Sequence, residues 1–186
     1  MLYFVTSNKP KVTHARLILD KENILFGVKE LPITEIQSIS IEEIAIHKAK
    51  EAFKILQQPL IVKDDGWFVE ALNGFPGPFM KYINNWLTVD DVLNLMHEKS
   101  NKKVTFQEVI CYIDSEKEKT FINKIEGRIL DTPEGHDLPF SELCTFRSDG
   151  KTMAQSTNEG IDPLDGQRAW SDFANWYKEQ NTTTNY

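Results

Sequence analysis

Apolar runs and amphipathic segments alternate along the first half of the chain. Residues 2–5 and 60–63 are short apolar runs bounded by polar or turn residues, which predicts two buried strands, and residues 24–31 suggest a third. Residues 10–20 follow a polar turn and have a proline in their first turn, as helices often do. Residues 40–56 repeat apolar positions at the period of a helix. The first half therefore predicts strands alternating with helices.

The second half adds a long hairpin and several shorter elements. The predicted elements are strands over residues 67–72, 103–113, 119–129 and 143–146, helices over 79–86, 89–98 and 166–178, and a Gly/Pro turn over 73–78. Strands alternating with helices, together with a hairpin, predict an α/β fold with a mixed sheet. We expect one domain over residues 1–180, followed by a frayed polar tail over residues 181–186.

Composition narrows the classes of partner. The chain has 186 residues and a formal net charge of -7, which disfavours binding to a nucleic acid polymer but permits a small phosphorylated ligand. Its two cysteines indicate neither a disulfide framework nor a zinc site. No apolar run approaches the length of a membrane span, and the first residues do not resemble a signal peptide. We therefore expect a cytoplasmic protein without a membrane partner.

The first candidate site is the segment TSNKPK at residues 6–11, between a predicted strand and a predicted helix. Amide groups at a helix N-terminus attract anions, and Lys11 would strengthen that attraction. The polar side chains of Thr6, Ser7 and Asn8 could donate hydrogen bonds to phosphate oxygens. The alternative is an ordinary capping turn with solvated lysines.

The second candidate is Lys48, which lies within the apolar stripe of the helix over residues 40–56. In that helix, Ser40 and Glu43 have the spacing of a capping box. A lysine at such an angle must either extend its side chain out to solvent or meet an anion. The sequence favours neither outcome.

The third candidate is the pair Asp64 and Asp65, which is predicted to end a buried strand. Ligands of α/β sheets collect beyond the carboxyl ends of strands, and carboxylates there suit Mg²⁺. Glu35 could supply a further carboxylate from a neighbouring loop, and the rigid GFPGPFMKY segment would aim Lys81. The alternatives are a solvated acidic turn and a structural loop.

These segments occur together, and in the same order, in a known family. TSNKPK resembles its T-G/S-N-x-x-K opening, and EIQS with EEIAIHKAKEA resembles its E-x-Q segment and E-I-A-x-x-K-A helix. VKDDGWFVEALNGFPGPFMKY resembles its D-D/T-G-L-x-V-x-A-L-x-G-x-P-G-P-Y-x-K-W block. Over about its first ninety residues, the chain resembles the inosine triphosphate pyrophosphatase family, also called Ham1-like.

The resemblance implies an elongated α/β fold with a central mixed sheet flanked by helices, assembled as a homodimer. It implies Mg²⁺-dependent hydrolysis of a nucleoside triphosphate to the monophosphate and pyrophosphate. It also implies three sets of functional residues: the catalytic residues Asp65, Lys48 and Lys11; the metal-binding residues Glu35, Asp64 and Asp65; and the phosphate-binding residues Thr6, Ser7, Asn8, Lys11, Lys48 and Lys81.

The second half departs from the family pattern in the region that would bind the base. DLPFSELCTFRSDGKTMAQSTNEGIDPLDGQRAW matches it loosely, so that Phe140, Gln167 and Arg168 are carried over as base-binding residues. A non-canonical purine nucleotide is the implied substrate. The alternative function is a nucleotide-binding or regulatory protein with the same fold and little or no turnover, and an acidic structural domain is a third interpretation.

Overall fold

A computed structural model describes residues 1–164 and 168–182 of the chain. Within these residues the strands form one seven-stranded sheet in the order β2-β1-β3-β5-β6-β7, with β4 paired to β3. The strands are β1 (Leu2–Val5), β2 (Phe26–Lys29), β3 (Leu60–Val69), β4 (Pro76–Gly77), β5 (Lys103–Ile113), β6 (Glu118–Ile129) and β7 (Cys144–Thr145). β1 is parallel to both β2 and β3, whereas the β3–β4 and β6–β7 pairs are antiparallel. The sheet is therefore mixed, as predicted.

Helices flank the sheet. They are α1 (Lys9–Leu19), α2 (Ile41–Leu56), α3 (Met80–Trp86), α4 (Val89–Leu95), α5 (Pro139–Leu143), α6 (Met153–Asn158) and α7 (Ala169–Thr182). The prediction of an α/β fold with helices on a mixed sheet is confirmed. Five of these helices were predicted with ends that differ by a few residues, while α5 and α6 were missed because, with five and six residues, they are the shortest and carry the weakest periodic signal. Residues 166–167 of the last predicted helix, and 183–186 of the predicted tail, lie outside the described residues.

The acidic pair does not end a strand. β3 continues from Leu60 through Asp64, Asp65 and Gly66 to Val69, and the segment predicted to continue as a strand to Leu72 becomes a 3₁₀ turn. The prediction of two strands separated at residue 63 was therefore wrong. Aspartate and glycine weaken strand propensity, but that local preference yields to pairing with the strands on either side.

The N-terminus of α2 shows how the local sequence starts a helix. The Ser40 side chain accepts a hydrogen bond from the Glu43 amide at 3.2 Å, as the predicted capping box requires. The reciprocal half passes through Ser38 instead. Its hydroxyl donates to the Glu43 carboxylate at 2.7 Å and accepts from the Ser40 amide at 3.0 Å. Three side chains thus share the capping that the sequence assigned to two.

The chain forms two compact units, each with its own apolar core. The first comprises Met1–Asp64, Glu108–Asn123 and the described part of Gln167–Tyr186. In its core, Phe4 packs edge-to-face on Trp170, with ring centroids 5.2 Å apart. α1 and α7 pack together within this unit. The candidate residues Thr6 to Lys11, Glu35, Lys48, Asp64 and Arg168 all belong to it.

The second unit comprises Asp65–Gln107 and the described part of Lys124–Gly166. Its core is built around Trp67, whose ring packs edge-to-face against Phe146 at 5.3 Å and Phe140 at 6.1 Å. No helix in the described part of the chain is long and apolar enough to cross a bilayer. The prediction of a single domain over residues 1–180 stays a prediction.

Candidate active site

The turn between β1 and α1 is built by its own polar side chains. Thr6 accepts a hydrogen bond from the Asn8 amide at 3.1 Å, and Asn8 caps α1 by accepting from the Lys11 amide at 3.0 Å. The interpretation of this segment as a capping turn is therefore correct as far as Thr6 and Asn8 are concerned. The same turn sets the direction of Lys11, because the cap fixes the first turn of the helix on which Lys11 lies.

Lys11 reaches the middle of β3. Its ammonium Nζ donates to the backbone carbonyl of Lys63 at 3.3 Å and lies 3.6 Å from Asp64 Oδ1. The Lys11 and Asp64 side chains are each 18% exposed, so this pair is mostly withdrawn from water. The turn over residues 6–11 thus places Lys11 against the carboxylate of Asp64 and not in open solvent.

Lys48 reaches the same carboxylate from α2. Its Nζ lies 3.5 Å from Asp64 Oδ2 and 2.5 Å from Glu35 Oε1, and its side chain is 16% exposed. The question left open by the sequence is thereby answered, since this lysine meets anions rather than open solvent. We call Lys11, Glu35, Lys48 and Asp64 the Asp64 cluster. In it, each oxygen of Asp64 faces one lysine.

Asp65 occupies a different position from its neighbour. Side chains that are adjacent in a strand point to opposite faces of the sheet, so we expect Asp65 to be directed away from the face on which Asp64 meets Lys11 and Lys48. The expectation that both aspartates act together rested on a strand end, where the chain could turn. Because β3 continues straight through the pair, it separates them.

The Asp64 cluster has the chemistry needed to hold a metal ion and phosphate. The carboxylates of Glu35 and Asp64 both contact one ammonium, so their oxygens lie no farther apart than the sum of those two contact distances. Mg²⁺ takes one or two protein carboxylates and completes its shell with phosphate oxygens and water. No group of three or more His, Cys, Asp or Glu side chains in the described residues is placed to hold a metal. Glu35 and Asp64 could therefore hold a metal only together with oxygen ligands from phosphate or water.

Four of the other predicted substrate-binding residues are not members of the Asp64 cluster. Ser7 is exposed in the turn before α1, and Lys81 is exposed on α3 in the second unit. Phe140 is fully buried in the apolar core of that unit, where it packs against Trp67. Gln167 lies outside the described residues. Substrate contacts for these four residues stay predictions.

Arg168 belongs to a buried polar group that sequence reasoning missed. Glu108 in β5 is fully buried; its Oε1 accepts a hydrogen bond from the Ala169 amide at 2.8 Å and lies 3.7 Å from Arg168 Nε. Its Oε2 lies 3.1 Å from Lys63 Nζ. The side chains of Lys63 and Arg168 are 4% and 7% exposed. We call Lys63, Glu108 and Arg168 the Glu108 group.

A signal for the Glu108 group was present in the strand pattern. Along β5, the inward positions alternate as Val104, Phe106 and Glu108, so a carboxylate occupies a place where the pattern calls for an apolar residue. Lys63 likewise ends the apolar run of residues 60–62. Two opposite charges on buried positions of strands that are neighbours in the sheet predict an ion pair.

The comparison with known proteins decides the family. The model of the Ham1 family matches residues 2–163. The chain belongs to the Ham1 family. The predicted resemblance is thereby confirmed, and it extends well beyond the first ninety residues.

Two curated relatives of this Ham1 chain have the same name. The dITP/XTP pyrophosphatase of Methanopyrus kandleri is 34% identical over 178 residues, which cover 94% of this chain and 95% of the relative. The dITP/XTP pyrophosphatase of Thermococcus kodakarensis is 33% identical over 180 residues, which cover 96% of this chain and 97% of the relative.

Solved structures agree with the fold. The Ham1 protein of Staphylococcus aureus has a TM-score of 0.77 at 22% identity, covering 97% of this chain and 100% of that one. The HAM1 protein of Coxiella burnetii has a TM-score of 0.81 at 21% identity, covering 96% and 100%. These likenesses confirm the Ham1-like α/β fold.

Proposed function

We propose that this Ham1 chain hydrolyses non-canonical purine nucleoside triphosphates, of which dITP and XTP are the first candidates, to the monophosphate and pyrophosphate. The names of the curated relatives support the substrate class and confirm the prediction of a nucleoside triphosphate pyrophosphatase. The observation that carries the proposal is the Asp64 cluster, in which two lysines and two carboxylates converge on one short stretch of β3.

In this proposal, Lys11 and Lys48 bind oxygens of the triphosphate. Both ammonium groups already lie against a carboxylate oxygen, so their side chains are oriented before the substrate arrives. As charge builds on the departing pyrophosphate, two preoriented cations stabilise it more than they stabilise the ground state. Thr6, Ser7 and Asn8 would contribute through the turn that positions Lys11.

Glu35 and Asp64 would hold Mg²⁺, which would neutralise phosphate charge and favour ionisation of a water molecule bound to it. Asp64 takes the role that the sequence analysis gave to Asp65, because Asp64 is the aspartate that faces both lysines. Its carboxylate would accept a proton from the attacking water. The water oxygen would bond to the α-phosphorus, the bond from that phosphorus to the bridging oxygen would break, and pyrophosphate would leave.

The test is pyrophosphate release from a panel of nucleotides. Purified protein is incubated with dITP, XTP, ITP, ATP, dATP and GTP, first with Mg²⁺ and then with EDTA. We expect release from dITP or XTP that EDTA abolishes. Folded protein that releases no pyrophosphate from any nucleotide would overturn the proposal. In that case, nucleotide binding without turnover would support the alternative of a binding or regulatory protein.

Assembly and location form a further part of the proposal. We propose that the chain is a cytoplasmic homodimer, as the family resemblance implies. Light scattering coupled to size exclusion measures the mass directly, and a mass equal to the 21.5 kDa of one chain at micromolar concentration would contradict the dimer.

A further inference from the structure

The Glu108 group lies outside the Asp64 cluster and serves no step of the proposed reaction. A fully buried carboxylate is costly unless its oxygens are engaged, and both oxygens of Glu108 are. One faces Lys63, and the other faces both the Ala169 amide and Arg168. The group therefore joins β3 and β5 to the start of α7.

Glu108 contacts the chain at Arg168, where α7 begins. Arg168 directly precedes α7, and its carbonyl accepts the Ser171 amide at 3.0 Å, which starts the first turn of the helix. Glu108 holds the next amide, that of Ala169, and lies beside the guanidinium of Arg168. One carboxylate oxygen thus contacts both the guanidinium of Arg168 and the backbone amide of the residue that follows it.

From this geometry, we propose that Glu108 is a positioning residue, which orients Arg168 and thereby sets the discrimination between purine bases. The proposal rests on the proposed function and on the base-binding role that the family resemblance implies for Arg168. An arginine carries only hydrogen-bond donors, so it favours a base with an oxo group over one with an amino group at the same place. It can do so only if its guanidinium is held in a defined orientation.

The decisive variant is Glu108→Gln. The amide oxygen can still accept from the Ala169 amide, and the volume is kept, but the negative charge beside Arg168 is lost. The readout is the ratio of kcat/KM for ITP to that for ATP, which differ in an oxo or amino group on the purine, together with the ratio of their Kd values. We expect the ITP preference to fall roughly tenfold, because the ion pair that holds the Arg168 guanidinium beside Glu108 is lost.

Lys63→Met is the matched control. It removes the other ion pair of Glu108 and leaves the contacts of Glu108 with Arg168 and Ala169 in place. We expect this variant to melt at a lower temperature than the parent chain and to keep the ITP preference. A loss of preference as large as that of Glu108→Gln would overturn the proposal, because the effect would then come from the strand ion pair.

A second variant guards against misfolding. Glu108→Gln leaves Lys63 buried without its carboxylate, so the double variant Lys63→Met with Glu108→Gln removes both members of that ion pair, which proteins tolerate better. We expect the double variant to lose the ITP preference as Glu108→Gln does. An unchanged preference, accompanied by a lowered melting temperature, would overturn the positioning role and leave Glu108 a structural residue.

The two proposals fail in different ways. A parent chain that releases no pyrophosphate contradicts the proposed hydrolysis, but the Kd ratio of ITP to ATP still tests Glu108. A parent chain that hydrolyses nucleotides, with the same ITP preference in Glu108→Gln, contradicts the positioning role alone. A parent chain that neither hydrolyses nor prefers ITP in binding overturns both.

Discussion

Asp64→Asn and Asp65→Asn form a matched pair of adjacent substitutions that tests the reassignment of the catalytic carboxylate. Asp64 lies 3.6 Å from the Lys11 ammonium and 3.5 Å from that of Lys48. Each attraction is about 5 kcal/mol at the effective dielectric constant of roughly 20 that suits such pairs, and desolvation offsets much of it. We expect Asp64→Asn to lower the free energy of unfolding by about 1–2 kcal/mol, which a folded protein tolerates.

The effect on turnover should be larger than the effect on stability. Asparagine cannot accept the proton of the attacking water and is a poorer ligand for Mg²⁺. Removing one charge-stabilising group from an active site costs on the order of a hundredfold in kcat, or about 3 kcal/mol in the barrier. Asp65→Asn, on the opposite face of β3, should keep turnover within about threefold of the parent chain.

The assay is initial-rate pyrophosphate release from the best nucleotide of the panel, at saturating substrate and Mg²⁺. Circular dichroism and a thermal melt of each variant separate loss of chemistry from loss of fold. Unchanged Mg²⁺-dependent turnover in Asp64→Asn would refute the reasoning. A large loss in Asp65→Asn, with Asp64→Asn active, would restore the original assignment to Asp65.

Three further predictions concern α2, α6 and α4. The Lys48→Met variant should fold, because methionine extends the apolar stripe of α2, but its turnover should be at least about tenfold lower than that of the parent chain. If a thermal melt shows that this variant is unfolded, Lys48 has a structural role instead. Thr152→Ala removes a buried hydroxyl that caps α6 and donates to the backbone carbonyl of Glu134. The midpoint of urea unfolding should therefore fall by the equivalent of about 1–2 kcal/mol, and an unchanged midpoint would contradict this. Hydrogen bonds from Thr88 hold the pKa of Asp91 below its ordinary value. The ionised Asp91 therefore stabilises the fold fully at pH values above its pKa in the unfolded chain, and this stabilisation is lost as pH falls through its pKa in the folded chain. Asp91→Asn should therefore melt below the parent chain at pH 7 and approach it below about pH 4, and a gap independent of pH would contradict this.

Much of the fold could be predicted from the sequence because the signals are local. Periodicity predicted α2, and the spacing of Ser40 and Glu43 predicted where that helix begins. The alternation of strands and helices predicted the mixed sheet. Motifs within single segments indicated the family. In each case, neighbours within a few residues decide the conformation.

The residue patterns also supplied the members of the candidate site, and the family resemblance assigned them to shared roles, but neither showed which of them are in contact. The patterns named Lys11, Glu35, Lys48 and Asp64 as separate candidates, each with an ordinary alternative. Only the tertiary structure brings them into one cluster, because those residues come from two helices, a loop and a strand. The contacts that decide between the alternatives are distant in sequence, as the pair of Lys11 and Asp64 shows.

Tertiary structure alone decided which aspartate faces the lysines and where Glu108 lies. Local propensity ended the strand before Asp64, whereas pairing with neighbouring strands carries β3 through both aspartates, and strand alternation is then expected to direct Asp65 to the other face. Glu108 looks like one charged residue in a strand until β3 and α7 bring Lys63 and Ala169 to it. The strand pattern marks Glu108 and Lys63 as charges on buried positions, but the residues that they contact are decided by elements distant in the chain.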